Sequence, residues 1–230
     1  MRERTIVITG VSSGLGKALF DELHSVGERL ICISRRFLEE QKAGAGENVS
    51  LLACDLSKSG EVERTIEKLR KLVRTGEVIF IDNAAIIQPI GSVGALQSGQ
   101  VNAAAETNFI SPIRITNALA ALIGIRTLTV IHVSTGAARH PIVGWPLYCA
   151  TKAGLKMFYA VVAAQEKSSG RIRVHEFDPG IMDTPMQAVI REASPNEFPR
   201  SEEFKNYKKD HELSDPHTVA KRLIREYIQV

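Results

Sequence analysis

The start of the chain constrains the fold most, because a short apolar run leads directly into a glycine-rich loop. Residues 5–9 read Thr-Ile-Val-Ile-Thr and are followed by Gly10-Val-Ser-Ser-Gly14-Leu-Gly16. A strand, a glycine loop and a helix in this order form a phosphate site, in which N–H groups at the helix N-terminus face a pyrophosphate. We therefore predict a buried strand, a phosphate loop and a helix over about residues 14–26.

The glycine spacing excludes two other nucleotide-binding loops. A mononucleotide phosphate loop needs a glycine, four residues, Gly-Lys and then Ser or Thr. Here Val11 and Ala18 occupy the first and last of these positions around Gly16-Lys17. The G-x-G-x-x-G fingerprint also fails, because three residues separate Gly10 from Gly14.

Apolar runs suited to buried strands alternate with helical stretches along the chain. Strands are expected near residues 4–9, 29–34, 49–53, 77–82, 126–133 and 171–177, and helices near 14–26, 58–74, 97–122 and 148–168. This alternation is typical of right-handed crossovers and of a parallel sheet covered by helices on both faces. We predict an α/β fold with six strands, in which residues 1–230 form a single doubly wound (Rossmann) domain. Pro112 is expected to kink the third helix.

A serine, a tyrosine and a lysine indicate proton chemistry on a carbonyl group. Tyr148 and Lys152 are four residues apart in a predicted helix and so lie one above the other, and Ser134 ends an apolar run upstream. A positive charge 4 Å from a phenol lowers its pKa by about 3 units at an effective dielectric constant near 20. We therefore expect Lys152 to bring the pKa of Tyr148 toward neutrality, where general acids and bases are most efficient.

Together these features resemble the short-chain dehydrogenase/reductase family over nearly the whole chain. Further motifs follow in the family's order: Asp55-Leu56, Asp82-Asn83-Ala84-Ala85, Asn108 and Pro179-Gly180-Ile181-Met182-Asp183-Thr184. The family's usual Asn-Asn-Ala-Gly is Asp-Asn-Ala-Ala here, which keeps Asn83 and replaces the glycine by Ala85. The resemblance implies an oxidoreductase with a nicotinamide dinucleotide.

The resemblance also implies four catalytic residues. Tyr148 would donate a proton to the developing alkoxide, Ser134 would hydrogen-bond the same oxygen, and Lys152 would hold the ribose hydroxyls of the cofactor. Asn108 would position a water that leads to Lys152. Alternatively, Asn108 is a buried side chain that bonds the kinked backbone beside Pro112.

Cofactor binding is expected along most of the family's motifs. Asp55 would bond the adenine amino group, although it may equally cap a helix that begins near Ser57. Ile181 and Thr184 would hold the nicotinamide carboxamide. The full set expected to bind the cofactor is Gly10, Ser12, Ser13, Gly14, Leu15, Gly16, Arg35, Arg36, Asp55, Leu56, Asn83, Tyr148, Lys152, Pro179, Gly180, Ile181 and Thr184.

The end of the second predicted strand favours NADP(H) over NAD(H). NAD-preferring folds place an acidic residue there for the ribose 2′-hydroxyl, whereas a 2′-phosphate needs cations. This chain has Ser34-Arg35-Arg36 and no acid. Because the arginine fork matches a phosphate, we predict NADP(H), with two solvated arginines as the alternative.

The substrate is expected to meet an apolar wall. The loop from Gly136 to Leu147 precedes Tyr148, so Pro141, Ile142, Val143 and Trp145 should line the pocket, unless Trp145 only packs in the core. Two stretches, Gly144-Trp145-x-x-Tyr148-Cys149 and Asp183-Thr184-x-Met186-Gln187, resemble the sepiapterin reductase-like branch, which includes bacterial benzil reductases. That resemblance makes Ser134, Trp145, Tyr148 and Asp183 the expected substrate-binding residues.

We therefore predict an NADPH-dependent reductase of a ketone or α-diketone carbonyl. Two alternatives stay open: an alcohol dehydrogenase that acts mainly in the oxidative direction, and a non-catalytic NADP-binding regulatory protein. Residues 185–214 mix apolar residues with a dense charge run and correspond to the family's substrate lid. A solvated pair of surface helices is the alternative for the charged half of that segment.

Composition excludes several other classes of protein. The net charge of +3 comes without a basic cluster interleaved with aromatics, so no nucleic acid is expected. No run approaches the roughly 20 apolar residues of a membrane span, and the N-terminus leads directly into a strand, so we expect neither a membrane segment nor a signal peptide. The three cysteines and six histidines lack metal-ligand spacing. Reduced thiols, no metal and a cytoplasmic location are therefore expected.

Assembly is expected to stop at a homodimer. In this family the helices near 97–122 and 148–168 commonly pair with their symmetry mates, and a seventh strand often forms the second interface. The sequence after Asp215-Pro216 reads as one amphipathic helix, so we expect six strands and no seventh. Small residues such as Ala153, Gly154 and Ala160, together with Phe158 and Val161, would form the twofold interface.

Overall fold

The computed structural model describes residues 4–73 and 76–228, and within them six strands form one parallel sheet. They are β1 Arg4–Thr9, β2 Leu30–Ser34, β3 Val49–Ala53, β4 Gly76–Asp82, β5 Ile125–Val133 and β6 Ile172–Phe177. Their order across the sheet is β3-β2-β1-β4-β5-β6. The predicted six-stranded, doubly wound sheet is confirmed. The stretch before the first strand that was taken to exclude a signal peptide, residues 1–3, lies outside the described residues.

Helices connect the strands and continue after β6. They are α1 Gly14–Ser25, α2 Glu39–Ala43, α3 Ser59–Leu72, α4 Ser98–Ala105, α5 Ser111–Ala120, α6 Pro146–Gln165, α7 Pro185–Glu192, α8 Ser201–Lys209 and α9 Pro216–Tyr227. The sequence did not predict α2, because five residues are too short to show helical periodicity. The expected helix start at Asp215-Pro216 is confirmed, since the Asp215 carboxylate accepts a hydrogen bond from the Thr218 N–H over 2.8 Å.

Two apolar cores cover the two faces of the sheet. Alternate strand residues such as Val7 and Phe80 pack against α3, α5 and α6 on one face. Their neighbours Ile6 and Ile8 pack against α1 and α9 on the other. Because both faces are buried, every residue from Thr5 to Thr9 is buried, which explains the unbroken apolar run that marks the first strand.

The third predicted helix is continuous but changes pitch in the middle. A π-helical turn over Glu106–Ile110 joins α4 to α5, and Pro112 follows directly after it. Proline has no N–H and clashes with the carbonyl of the preceding turn, so an uninterrupted α-helix cannot pass through it. The expected kink therefore takes the form of a widened turn, and Asn108 lies within it.

Residues 185–214 fold into a helix pair over the carboxyl ends of the strands. Phe198 and Phe204 join Trp145, Tyr148 and Ile190 in a third apolar cluster. Both ends of the segment are tied together, because the Ser214 N–H donates to the Ile181 carbonyl and the Asp183 N–H donates to the Ser214 carbonyl. The segment thus packs through an apolar inner face, and most of its charged residues lie on the outside.

Candidate active site

A cavity of about 770 Å³ opens at the carboxyl edge of the sheet. It lies where β1 is flanked by β2 on one side and by β4 on the other, which is the point where the chain reverses its winding and where doubly wound folds bind ligands. Its wall comes from the glycine loop, the ends of β2 to β6, α6, α7 and α8. Most residues that the sequence assigned to a site line this cavity; the exceptions are Arg36, Asn108, Pro141, Val143 and Asp183.

The glycine loop has the shape that a phosphate group needs. Gly10 and Gly14 have positive φ angles of 75° and 52°, which favour glycine. A side chain at Gly16 would place its Cβ 2.0 Å from the Gly10 carbonyl oxygen, so only glycine fits there. Asn83 fixes the loop, because its Nδ2 donates to the Thr9 carbonyl over 2.8 Å.

The far end of the cavity carries one arginine and one aspartate. Arg35 lines the cavity with an exposed side chain, while Arg36, also exposed, does not line it. The Asp55 carboxylate accepts hydrogen bonds from the Ser57 N–H and hydroxyl over 3.0 and 2.8 Å. Burial acts to raise the pKa of Asp55, but these bonds and the nearby Arg35 outweigh it and lower the pKa.

Asp55 therefore closes a turn and does not cap a helix. The helix that was expected near Ser57 begins at Ser59, with Lys58 as its N-cap. Asp55 and Arg35 both line the cavity.

Three side chains meet at the centre of the cavity. Ser134 follows β5 directly, and Tyr148 and Lys152 lie one turn apart in α6. All three are at least 92% buried and line the cavity. Among the described residues the Ser134 hydroxyl has no hydrogen-bond partner, although a buried hydroxyl ordinarily has one.

The expected effect of Lys152 on Tyr148 is not found. The Lys152 ammonium donates to the Val133 carbonyl over 2.9 Å. Burial raises the pKa of the Tyr148 phenol above its usual value, and a hydrogen bond with Thr135 offsets this only in part. Burial also lowers the pKa of Lys152, while Asp82 acts to raise it. The spacing of Tyr148 and Lys152 in the sequence did not predict these pKa shifts, because it carries no information about which groups the fold removes from water.

The Asn108 side chain forms hydrogen bonds with a neighbouring loop. Its Oδ1 accepts from the Ile86 N–H and its Nδ2 donates to the Ile86 carbonyl, both over 2.8 Å. This pair of bonds ties the π-helical turn to the segment after β4, which lines the cavity. The side chain thus bonds a backbone, as in the alternative interpretation, but that backbone belongs to Ile86 and not to the helix beside Pro112.

An aromatic wall covers the end of the cavity near Tyr148. The Trp145 ring stacks on Phe198 with centroids 4.8 Å apart and meets Tyr148 and Phe204 edge-on. Ile142 also lines the cavity, but Pro141 and Val143 do not, and Val143 is 69% exposed. Both interpretations of Trp145 hold, since it packs in the third cluster and lines the cavity.

Asp183 lies away from the cavity, contrary to its expected role with the substrate. Its carboxylate forms an ion pair with Lys208 of α8 on the protein surface. Its neighbours Met182 and Thr184 do line the cavity, and a chain that alternates sides at this point turns Asp183 outward. The correction follows from local geometry that a motif does not encode.

Several cavity residues were not predicted from the sequence. Polar ones include Gln88, Thr107 and Gln187, and apolar ones come from α7 and α8. A weak signal exists for Phe204, an apolar residue three positions before Tyr207 in a charged run, which is a helical spacing. No sequence signal marks Gln88 or Thr107, which tertiary folding alone brings to the cavity.

Comparison with known proteins identifies the family. A model of the short chain dehydrogenase family matches residues 4–195. The chain belongs to this family. It is an oxidoreductase of a family that uses a nicotinamide cofactor and small-molecule substrates.

Similar proteins extend the comparison along nearly the whole chain. The chain is 30% identical to a benzil reductase ((S)-benzoin forming) of Bacillus cereus, over 96% of this chain and 92% of that protein. It is 33% identical to the sepiapterin reductase of Mus musculus, over 95% and 89% of the two chains. The crystal structure of the KRED1-Pglu enzyme shares the fold with a TM-score of 0.85 at 24% identity, over 98% and 95% of the chains. The predicted relationship to the sepiapterin and benzil reductases is confirmed.

The residues present fit a nicotinamide dinucleotide. Gly16 has no room for a Cβ beside the Gly10 carbonyl oxygen, and this close packing sets the shape of the loop. The first N–H groups of α1 have no partner within the helix and lie at this wall, where a pyrophosphate would meet them. The unpartnered Ser134 hydroxyl supplies a buried donor at the opposite end.

Two further findings concern other classes of site. No helix within residues 4–73 and 76–228 combines the length and the apolar character needed to cross a bilayer. The same residues contain no group of three or more His, Cys, Asp or Glu side chains arranged to hold a metal ion.

Proposed function

We propose that this protein is an NADPH-dependent reductase of ketones and α-diketones that carry an aryl group. The observation that carries this proposal is the arrangement around Tyr148. A phenol and an unpartnered serine hydroxyl share a cavity with the aromatic wall of Trp145 and Phe204. The proton-donating groups thus lie beside a surface that suits an uncharged aromatic ring.

The residues expected to bind the cofactor, apart from Arg36, line one cavity, which supports the proposed cofactor. The glycine loop would hold the pyrophosphate, Asp55 the adenine, and Arg35 a 2′-phosphate. Asn83, Lys152 and the segment Pro179–Thr184 would hold the nicotinamide half. When bound, the dinucleotide supplies a hydride. Arg35 supports NADPH over NADH, because no acidic residue follows β2 and a guanidinium matches a phosphate.

The chain's own residues supply the proton and stabilise charge on the carbonyl oxygen. Tyr148 donates its phenolic proton to that oxygen as negative charge develops, and Ser134 donates a hydrogen bond to the same atom. Donors that are fixed before the reaction cost no reorganisation. Lys152 lines the cavity one turn along α6 from Tyr148 and would hold the ribose hydroxyls of the cofactor.

An ordinary phenol is protonated at neutral pH, and burial raises the pKa of Tyr148 further. This phenol can therefore donate a proton to a developing alkoxide. The retention of both Tyr148 and Lys152 also argues against a protein that binds the dinucleotide without turnover.

The substrate end of the cavity supports an uncharged aryl substrate. The charged residues that line the cavity are Arg35, Asp55, Lys152 and Asp178. The first two lie at the adenine end, and Asp178 is paired with Arg139 over 2.6 Å. The resemblance to sepiapterin reductases implies that an aspartate at position 183 anchors a pterin substrate, but Asp183 lies outside the cavity. This favours a diaryl diketone such as benzil over a pterin.

A substrate panel tests the proposal. We expect NADPH oxidation with benzil at a kcat/KM at least about tenfold above that with a small aliphatic ketone, since an aryl contact of ~1.4 kcal/mol gives this ratio. A β-keto acid serves as the negatively charged comparison substrate, and it should react poorly. Faster turnover of the acid than of benzil would contradict the proposed substrate class.

A homodimer is proposed from one exposed face of α6. Ala153, Met157, Ala160, Val161 and Ala164 recur at helical spacing, and all are exposed. Met157 and Val161 are 65% and 48% exposed. An apolar stripe of this length on a helix surface is typical of an interface. The expected interface residue Phe158 instead packs partly into the core, so Met157 takes its place.

A cytoplasmic location is proposed from the cysteines. Cys32 and Cys54 are buried, Cys149 is partly exposed, and all three are free thiols. Unpaired buried thiols are usual in reducing compartments.

A further inference from the structure

Three connecting segments meet at Gly144, the residue before Trp145 in the loop between β5 and α6. The Gly144 carbonyl accepts a hydrogen bond from the Gly91 N–H over 2.8 Å, which ties this loop to the segment after β4. On its other side lies the turn between α7 and α8, at Glu197 and Phe198. Gly144 does not line the cavity, whereas Trp145 does. Any effect of Gly144 on a substrate must therefore pass through its neighbours.

Only glycine fits at position 144. Its φ angle is 90°, which lies in the left-handed region that favours glycine. A Cβ at this position would lie 2.4 Å from the Glu197 carbonyl oxygen and 3.3 Å from the Phe198 Cα. Because these are backbone atoms, they cannot rotate away as the end of a side chain could. The absence of a side chain at Gly144 is thus what allows the turn to lie against the loop.

The turn that contacts Gly144 is held by its own hydrogen bonds. The Ser194 hydroxyl donates to the Glu197 carboxylate over 2.7 Å, and the Phe198 N–H donates to the Ser194 carbonyl over 2.8 Å. Phe198 is fully buried and stacks on Trp145, with ring centroids 4.8 Å apart and planes 5° apart. Because the turn is bonded internally, a displacement of Glu197 would carry Phe198 with it and separate the two rings.

We propose that Gly144 is a positioning residue that sets the aromatic wall of the cavity, because its missing side chain lets Phe198 stack on Trp145. The stack holds the Trp145 ring on one face, while Tyr148 and Phe204 meet it edge-on. A ring that is already fixed contacts an aryl substrate without a further cost of ordering on binding. This inference rests on the proposed reductase function for its effect on substrates, whereas the position of the ring can be measured in the protein alone.

Intrinsic fluorescence measures the stack without any substrate, because Trp145 is the only tryptophan in the sequence. Trp145 is 5% exposed, so the native protein should emit as a buried indole and be quenched little by acrylamide. In Gly144→Ala we expect the emission to shift to longer wavelength and the acrylamide quenching constant to rise. Gly99→Ala is the matched control, since a Cβ at Gly99 meets no atom within 4 Å, and its emission should stay native.

Substrate selectivity measures the consequence for the cavity. Gly144→Ala should raise KM for benzil by about 2- to 12-fold, the range expected for the loss of one aromatic contact. A small aliphatic ketone should be affected less, because it gains little from an aromatic wall. Phe198→Leu should give the same pattern, since it removes the stacked ring and leaves the backbone at Gly144 unchanged. Should Gly144→Ala not fold, the emission and KM of Phe198→Leu decide whether the stack sets the wall.

The two measurements separate the inference from the proposed function. If benzil is not reduced but the emission of Gly144→Ala shifts, the role of Gly144 in the wall stands and the proposed substrate is wrong. Native emission and quenching in a folded Gly144→Ala variant would overturn the inference. An equal rise of KM for benzil and for the aliphatic ketone would overturn it as well, because the contact would then act on the whole fold and not on the aromatic wall.

Discussion

The hydroxyl oxygen of Ser134 illustrates how the fold positions a hydrogen-bond donor before the reaction. The Ser134 hydroxyl is buried and unpartnered within the described residues, and such an atom costs the folded protein about 1–3 kcal/mol. This destabilisation is relieved during turnover if a substrate carbonyl oxygen accepts a hydrogen bond from the Ser134 hydroxyl. The donor is then fixed before the reaction begins.

Tyr148→Phe tests the acid directly. The substitution removes only the hydroxyl, so NADPH binding should stay close to that of the native protein, while kcat falls by about 10²- to 10⁴-fold, the usual contribution of a general acid. Stopped-flow turnover and a fluorescence titration with NADPH measure the two quantities. Lys152→Ala, by contrast, should weaken both. Retention of more than about a tenth of kcat by Tyr148→Phe would remove it from the mechanism.

Arg35 and Arg36 form a pair in which one arginine controls for the other. Arg35 lines the cavity and Arg36 does not. We expect the native protein to prefer NADPH by at least about tenfold in kcat/KM, or ~1.4 kcal/mol. Arg35→Asp should reverse that preference, whereas Arg36→Asp should change it less. Both substitutions are measured with both cofactors. Equal effects would show that the cofactor preference does not depend on whether an arginine lines the cavity.

At the scale of secondary-structure elements, the sequence predicted the type and position of an element better than its detailed geometry. Pro112 predicted an interruption in the third helix, but the π-helical turn around Asn108 follows from how that helix packs on the loop after β4. The glycine loop was predicted in full, since its spacing follows from local backbone sterics. The predicted contact of Asp183 with the substrate was wrong, because the rotation of one peptide unit decides on which side of a loop a side chain lies.

The helix α8 gives a prediction of its own. Phe204 packs edge-on against Trp145 over the cavity, while Lys205 points outward and pairs with Glu202. Phe204→Leu preserves most of the volume but removes the ring, and an aromatic pair is worth about 0.5–1.5 kcal/mol. We expect KM for benzil to rise by about 2- to 12-fold, the range given by that energy, with a small aliphatic ketone affected less.

Lys205→Ala on the outer face of the same helix is the control for this substitution. It should leave both Michaelis constants unchanged, because an exposed ion pair contributes little. A KM for benzil that rises equally in both variants would mean that α8 acts through its stability and not through its inner face.

For the whole molecule, the strand pattern sufficed to predict the sheet. Residues buried on both faces of a parallel sheet read as unbroken apolar runs, so all six strands were found within a residue or two. The cavity could be placed for the same reason, since parallel strands end at one edge. The desolvation of Tyr148 and Lys152 could not be predicted, because it depends on which groups the folded chain excludes from water.

Assembly tests the molecule as a whole. The apolar stripe on α6 runs along one side of the helix, and pairing it with a symmetry mate would bury it around a single twofold axis. We expect light scattering to give the mass of two chains. Val161→Lys places a charge within the stripe, where desolvation opposes association, so the mass should fall to that of one chain. Ile123→Lys is the matched control, since Ile123 is fully exposed and lies outside the stripe. A dimer that survives Val161→Lys, or dissociates equally with Ile123→Lys, would place the interface elsewhere.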